Sequence, residues 1–245
     1  MKELAKKDKN TADTLKRLQV SVHGTKPAMF YGSVKIHKEG NPLRPIVSTV
    51  GTATYPTAKY LSRILTPYSE KMPSYIKNTA DFVEKLKNVT IEEDEIMVSF
   101  DIKSLFTSVP VDQAEIAVQE ALRNDEELHE RTNLKVDAIM SLVRLCLTTT
   151  SFQFRDTHYE LTDGLPMGSP ASPCLANIFI GRLERKALNS FHYPPKLWLR
   201  YVDDVFSILK RNVADALLQH LNQQHESIQY TLEKEESEQL LYMPM

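Results

Sequence analysis

The chain has 245 residues, of which 42% are hydrophobic and 25% are charged, with a formal net charge of −2, a composition typical of a globular protein with one large or two interleaved domains. No apolar run approaches the roughly 20 residues that a membrane helix needs, the start lacks the apolar segment of a signal peptide, and the two cysteines lie outside any zinc-binding pattern. We therefore expect an intracellular protein without a membrane span, in which Cys146 and Cys174 are buried thiols.

The beginning of the chain is much more basic than the rest. Residues 1–78 carry 14 Lys and Arg against 5 Asp and Glu, a net charge of +9. Residues 79–245 carry 16 against 27, a net charge of −11. This asymmetry favours a basic surface that binds phosphates, although a solvated charged face is an equally ordinary explanation.

A basic hairpin is predicted near the start of the chain. Residues 28–50 contain two extended segments joined by the turn HKEGNP. Lys35 and Arg44 lie on these segments, and Lys38 lies in the turn that joins them. Because Arg44 interrupts an otherwise apolar strand, it is suited to bidentate contact with a phosphate.

Two helices are predicted next. The first covers about 56–68, with Pro56 in its first turn and its apolar side chains on one face. The second is short and has Thr79 as its cap, with three side chains expected to face inward: Phe82, Val83 and Leu86.

A strand that ends in an acidic residue follows. Apolar residues alternate over 95–101, and the last residue is Asp101. A strand-end aspartate can simply cap the following turn. The functional interpretation is that Asp101 converges with Asp203 and Asp204 on two Mg²⁺ ions, because such hard cations prefer carboxylate oxygens and a metal pair can hold both reacting oxygens of an in-line displacement.

Helices and a hairpin are predicted in the middle of the chain. Asp112 and Glu115 resemble a capping pair for a helix over about 113–123, and a second amphipathic helix covers 137–147. A hairpin then turns near Asp156 and Thr157.

A glycine-containing loop precedes the next helix. The loop is GLPMGSP at 164–170, and the helix is predicted over about 172–188. The glycines of the loop allow the backbone to approach a base or sugar closely, and the N-terminus of the helix favours phosphate. An ordinary connecting loop is the alternative.

The most specific local feature is a hairpin with two adjacent acidic residues. The sequence LWLRYVDDVFSIL predicts two strands joined by a tight turn that carries Asp203 and Asp204. Turns favour Asp for local reasons. However, adjacent half-buried carboxylates repel each other, so their presentation on a rigid hairpin favours a divalent cation. A helix over about 212–224 and a strand over 227–233 complete the pattern, which favours an α+β fold.

Together these motifs, in this order, resemble the reverse transcriptases of Penelope-like retroelements, which are relatives of telomerase. The resemblance rests on four stretches: YGSVKIHKEGNPLRPIVS (31–48), FDIKSLFTSVP (100–110), LPMGSPASPCLANIF (165–179) and LRYVDDVF (199–206).

The resemblance implies a right-hand polymerase fold with a ferredoxin-like palm and interleaved fingers. The N-terminal segment and fingers would occupy 1–94, and the palm 95–245, with a fingers insertion at about 118–160. The chain ends at EESEQLLYMPM, where the family continues into a primer grip and thumb, so we expect a truncated copy in which the thumb is missing.

The resemblance also implies the roles of individual residues. Asp101, Asp203 and Asp204 would be the catalytic residues and the ligands of two Mg²⁺ ions, with Mn²⁺ as a substitute. The nucleotide would contact Lys35, Lys38, Arg44, Phe106, Met167 and Gly168, with Phe106 beneath the sugar as a barrier to a 2′-hydroxyl. Lys234 is a candidate for protonating the pyrophosphate leaving group, although a solvated surface lysine is the alternative.

The implied function is an RNA-directed DNA polymerase that acts on an RNA template, a DNA primer and dNTPs in the nucleus. Two other functions stay open. The first is an RNA-dependent RNA polymerase, against which Phe106 argues because such enzymes usually keep a polar contact for the ribose. The second is a non-catalytic remnant that binds nucleic acid.

Overall fold

The computed structural model describes residues 18, 25–34, 40–236 and 240, and the following bounds refer to these residues. The strands are β1 Ala28–Val34, β2 Leu43–Ser48, β3 Glu95–Ile102, β4 Ser151–Phe154, β5 Thr157–Glu160, β6 Leu197–Tyr201, β7 Asp204–Lys210 and β8 Tyr230–Lys234. The helices are α1 Tyr55–Glu70, α2 Thr79–Leu86, α3 Leu105–Ser108, α4 Val111–Arg123, α5 Leu128–Arg131, α6 Val136–Thr148, α7 Ser172–Ser190 and α8 Ala214–Asn222, with a 3₁₀ turn at Arg211–Val213 before α8.

The first sheet contains the basic hairpin and has the strand order β2-β1-β4-β5. β1 and β2 are antiparallel, with Ser33 opposite Arg44, as the hairpin prediction requires. β4 pairs in parallel with β1 through Ala28 and Phe152. The hairpin of β4 and β5 therefore extends the sheet that the beginning of the chain started.

The second sheet has the strand order β6-β7-β3-β8, and its neighbouring strands are antiparallel. Along the chain, β3 is followed by helices, which the β4–β5 hairpin of the first sheet interrupts, then by the β6–β7 hairpin, then by α8 and β8. This is the β-α-β-β-α-β connectivity of a ferredoxin-like unit. The prediction of an α+β fold with a ferredoxin-like palm is therefore confirmed.

Helix α7 organises the core. It packs against α1, α4 and α8, and most of its residues are buried. In β3, Ile96, Val98 and Phe100 are buried, as their alternation predicted. Cys146 on α6 and Cys174 on α7 are both buried and free, which confirms that they are core thiols.

Several local predictions were wrong in detail. Asn78, not Thr79, caps α2, because its side chain accepts a hydrogen bond from the Asp81 amide at 3.0 Å. Val83 on the same helix is 54% exposed instead of facing inward, because α2 buries none of its residues fully.

The capping pair and the hairpin turn also need correction. α4 begins at Val111, so Asp112 lies in its first turn, and Glu115 bonds to Arg144 on α6 instead of capping the helix. The β4–β5 turn consists of Arg155 and Asp156, both at positive φ, one residue earlier than predicted. Among the described residues, no helix is long and apolar enough to span a membrane.

Candidate active site

The three predicted acidic residues meet at one end of the second sheet. Asp101 near the end of β3 lies directly opposite Asp204, the first residue of β7. Directly opposed residues of antiparallel strands project from the same face of a sheet. The amide of Ile102 donates to the carbonyl of Asp203 at 3.0 Å, so Asp203 is also adjacent to the end of β3. All three aspartates are half-buried.

The hairpin turn that carries Asp203 has an unusual backbone. Tyr201 pairs with Asp204, which leaves Val202 and Asp203 as a two-residue turn. Val202 has φ +57°. A β-branched residue rarely adopts this conformation, which costs on the order of 1–3 kcal/mol and persists only where the surroundings enforce it. The backbone at the candidate site is therefore strained and held in place by its neighbours.

The donor set of the three aspartates suits Mg²⁺, since carboxylate oxygens are its preferred protein ligands. Within the described part of the chain, no three His, Cys, Asp or Glu side chains are grouped closely enough to hold a metal ion. Mg²⁺ is commonly held by one or two carboxylates together with substrate phosphates and water. The residues present fit that mode, and the predicted ligation of metal by Asp101, Asp203 and Asp204 stays a prediction.

The GLPMGSP loop joins the two sheets at this site. The Leu165 amide donates to the Phe106 carbonyl at 2.6 Å, and the Val47 amide on β2 donates to the Met167 carbonyl at 2.9 Å. The Thr49 hydroxyl donates to the Gly168 carbonyl at 3.2 Å. The loop thus connects β2 of the first sheet to α3, the helix that follows β3.

The glycines of this loop serve close contact with protein backbone. A Cβ on Gly168, whose φ is +131°, would lie 2.6 Å from the Val47 carbonyl oxygen. A Cβ on Gly164, whose φ is +81°, would lie 2.9 Å from the Thr107 carbonyl oxygen. The sequence predicted close approach to a base or sugar. The close approach that the structure shows is to β2 and α3, and contact of Met167 and Gly168 with a nucleotide stays a prediction.

Phe106 lies on α3, immediately after β3. Ser104, which precedes the helix, has φ +52° and turns the chain sharply away from the strand. The Phe106 ring is half-buried and packs against the hydrophobic core. The ring therefore has a packing role and also an accessible part, and its contact with a sugar stays a prediction.

The basic residues are only partly described. Arg44 is exposed on β2, at the edge of the first sheet. It lies three residues, on the order of 10 Å, along the strand from Val47, which bonds to the loop. Lys35 and Lys38 lie outside the described residues. Lys234 lies opposite Val98, well along β3 from Asp101, and its ammonium is 2.7 Å from the Asp215 carboxylate, which favours the surface-lysine alternative.

Sequence reasoning missed a buried arginine beside the acidic turn. Arg200 on β6 is 2% exposed and forms a buried ion pair with Glu184 on α7. The available signal was the same one that drew attention to Arg44, an arginine within an apolar strand. Close by, Tyr230 is fully buried, and burial together with the negative charge of Glu184 raises its pKa.

The second sheet forms a ferredoxin-like palm with paired carboxylates at one end, and a loop joins it to the first sheet. This arrangement defines the class of a right-hand nucleic-acid polymerase. The chain belongs to the reverse transcriptase (RNA-dependent DNA polymerase) family, whose sequence profile matches residues 36–241. Comparison with curated protein sequences finds no match.

Solved polymerase structures share the fold. Apo telomerase from Candida tropicalis aligns over 97% of this chain and 49% of its own, with 12% identity and a TM-score of 0.63. Telomerase from Candida albicans in complex with a fragment of telomeric RNA aligns over 91% of this chain and 44% of its own, with 11% identity and a TM-score of 0.62. The BmCPV RNA-dependent RNA polymerase at its elongation state aligns over 90% of this chain and 21% of its own, with 11% identity and a TM-score of 0.61. The chain thus spans half or less of the length of these polymerases.

Proposed function

We propose that this chain is the fingers and palm of an RNA-directed DNA polymerase from a Penelope-like retroelement. The observation that carries the proposal is the register of β3 and β7, which brings Asp101 opposite Asp204 beside the strained turn. Membership of the reverse transcriptase family supports the reaction class. The four stretches at 31–48, 100–110, 165–179 and 199–206 support the subfamily, and a nuclear location belongs to the same proposal.

In the proposed reaction, the 3′-hydroxyl of a DNA primer attacks the α-phosphate of a dNTP paired with an RNA template, and pyrophosphate leaves. Asp101, Asp203 and Asp204 would hold Mg²⁺. When bound, Mg²⁺ makes the attacking hydroxyl more acidic and stabilises the negative charge that develops at phosphorus.

The remaining predicted residues orient the substrates. Arg44 on the exposed edge of β2 offers a guanidinium fork that matches a phosphate, and it would bind the triphosphate with Lys35 and Lys38. The loop that bonds to both Val47 and Phe106 would fix the distance between the triphosphate end and the sugar end of the nucleotide. Such fixed placement is a large part of the catalysis of a displacement reaction.

An RNA-dependent RNA polymerase is the second candidate, because the BmCPV enzyme shares this fold. Primer extension separates the candidates. The purified chain is supplied with an RNA template, a DNA or RNA primer, Mg²⁺ and either dNTPs or rNTPs. We expect extension from dNTPs to exceed extension from rNTPs by on the order of 10²-fold or more. Preference for rNTPs would establish the second candidate, and binding of the primer–template without extension would establish the non-catalytic remnant.

A further inference from the structure

A buried polar network lies directly behind the turn that carries Asp203. Arg200 and Glu184 are each 2% exposed, and their Nε and Oε1 atoms are 2.9 Å apart. The Trp198 indole donates to the same carboxylate oxygen at 2.9 Å, and the Ser74 hydroxyl donates to the other oxygen at 3.1 Å. The carboxylate is thus held by three donors, two from β6 and one from the segment that follows α1.

The Arg200 side chain also holds the turn itself. Its Nη1 atom donates to the Val202 carbonyl at 3.1 Å and to the Asn177 amide oxygen at 2.7 Å. Asn177 and Glu184 are seven residues apart on α7, which places them on one face of the helix, two turns apart. The guanidinium therefore links the central helix of the core to the first residue of the turn.

The backbone of Arg200 is fixed as well. Its amide donates to the Ser74 carbonyl, and its carbonyl accepts from the Ile76 amide at 3.0 Å. The free edge of β6 is thus covered by the segment that follows α1. Since both its backbone and its side chain are restrained, Arg200 is a rigid support, and a rigid support is what a positive φ at Val202 requires.

We propose that Arg200, oriented by Glu184 and Asn177, is a positioning residue for the acidic turn. By holding the Val202 carbonyl, it keeps the turn in the conformation that presents Asp203 and Asp204 beside Asp101. The role of those carboxylates in nucleotidyl transfer rests on the proposed function, whereas the support of the turn by Arg200 does not.

The test uses Arg200→Lys. Removing the positive charge outright would leave Glu184 buried and unpaired, which destabilises the whole protein. Lysine keeps the charge, but a single ammonium cannot reproduce the planar fork that reaches Glu184 and Val202 together. The matched control is Arg131→Lys, since Arg131 forms a largely buried ion pair with Asp125 remote in sequence from the turn.

The first readout, amide hydrogen exchange, needs no polymerase activity. We expect amides of the turn peptide 199–206, and the Ile102 amide that bonds to Asp203, to exchange on the order of tenfold faster in Arg200→Lys. Peptides from β1 and α6 should be unchanged, and Arg131→Lys should leave the turn unchanged. Unaltered exchange at the turn, or a uniform acceleration over the whole chain, would overturn the proposal.

The second readout is single-nucleotide primer extension in two backgrounds. In the natural sequence, Arg200→Lys should lower kcat on the order of 10- to 100-fold while leaving the KM for dNTP nearly unchanged. In a Val202→Gly background the loss should be several-fold smaller, because glycine adopts a positive φ without support. Equal losses in both backgrounds would contradict the positioning role. If the natural chain extends no primer, the proposed function fails, and the exchange experiment alone decides whether Arg200 supports the turn.

Discussion

At the scale of single residues, we propose that Phe106 is the position on which the choice between a DNA and an RNA product depends. It follows Asp101 by five residues, and its ring is half-buried against the core. An accessible part of an aromatic ring beneath the sugar would accept a hydrogen at the 2′ position and reject a hydroxyl, which would lose its water partners there.

We expect Phe106→Ala to raise rNTP incorporation on the order of 10²-fold or more, while dNTP incorporation falls little. The measurement is the ratio of kcat/KM for a matched rNTP and dNTP on one RNA template. Thermal unfolding checks that the variant stays folded. If incorporation of both nucleotides falls equally, Phe106 acts only through its packing.

At the scale of elements, the loop at 164–168 joins the site. Backbone hydrogen bonds from Leu165 and Val47 attach it to α3 on one side and to β2 on the other. These contacts bring the loop backbone close to the backbone of β2 and α3. Where the backbones lie closest, a Cβ atom would clash, so only glycine fits. The two glycines are therefore required where the loop connects β2 to α3.

Gly168→Ala should reduce the free energy of unfolding by about 2 kcal/mol or more, because its Cβ would lie 2.6 Å from the Val47 oxygen at a φ of +131°. Gly51→Ala is the matched control, since Gly51 also has positive φ but no atom within 4 Å of the added Cβ, and should cost only about 1 kcal/mol. Urea unfolding measures both. Equal costs would show that the contact with β2 is unimportant.

Sequence periodicity was sufficient to predict most elements of the fold. The predicted alternation in β3 and the predicted apolar face of α1 are confirmed by the residues that the structure buries. Both patterns were predictable because each follows directly from which side of the element faces the core. The errors occurred where local signals compete: Asn78 and Thr79 are both good caps, and Val83 is apolar but lies on a helix with no buried residue. The choice of cap residue and the exposure of Val83 depend on tertiary packing, which cannot be predicted from a short stretch of sequence.

The candidate site was predictable only in part. The adjacent Asp203 and Asp204 stand out in the sequence, and the order of motifs connects them with Asp101. That Asp101 lies opposite Asp204 is a matter of strand register, which the sequence leaves open. The support of the turn by Arg200 depends on Glu184 on a different element, and no local pattern reveals such a pair.

At the scale of the whole molecule, the helical core contains two thiols that the site does not use. Burial raises the pKa of Cys146 and of Cys174 to about 12, from an ordinary value near 9. In the unfolded chain both thiols ionise near that ordinary value. Above it, the folded state retains more protons than the unfolded state, so stability falls as pH rises.

We therefore expect the free energy of unfolding to fall between about pH 9 and pH 12 by up to about 1.4 kcal/mol per pH unit for each thiol. Below pH 9 the thiols should contribute no slope. Urea unfolding at a series of pH values provides the measurement, with Cys146→Ala/Cys174→Ala as the comparison. The free energy of unfolding should fall less steeply with pH in the double variant. Equal slopes in the two proteins would contradict the rise in pKa that burial of the thiols causes.

The central claim is that the end of the second sheet is a metal-dependent site of nucleotidyl transfer. The most direct test is single-nucleotide extension of a primer on an RNA template as a function of Mg²⁺, with Asp203→Asn compared with Asp215→Asn. Asp215 is an exposed aspartate that pairs with Lys234 on the surface. We predict that extension depends on Mg²⁺, that Asp203→Asn lowers it on the order of 10²-fold or more, and that Asp215→Asn leaves it unchanged. Extension that persists in Asp203→Asn would contradict the account.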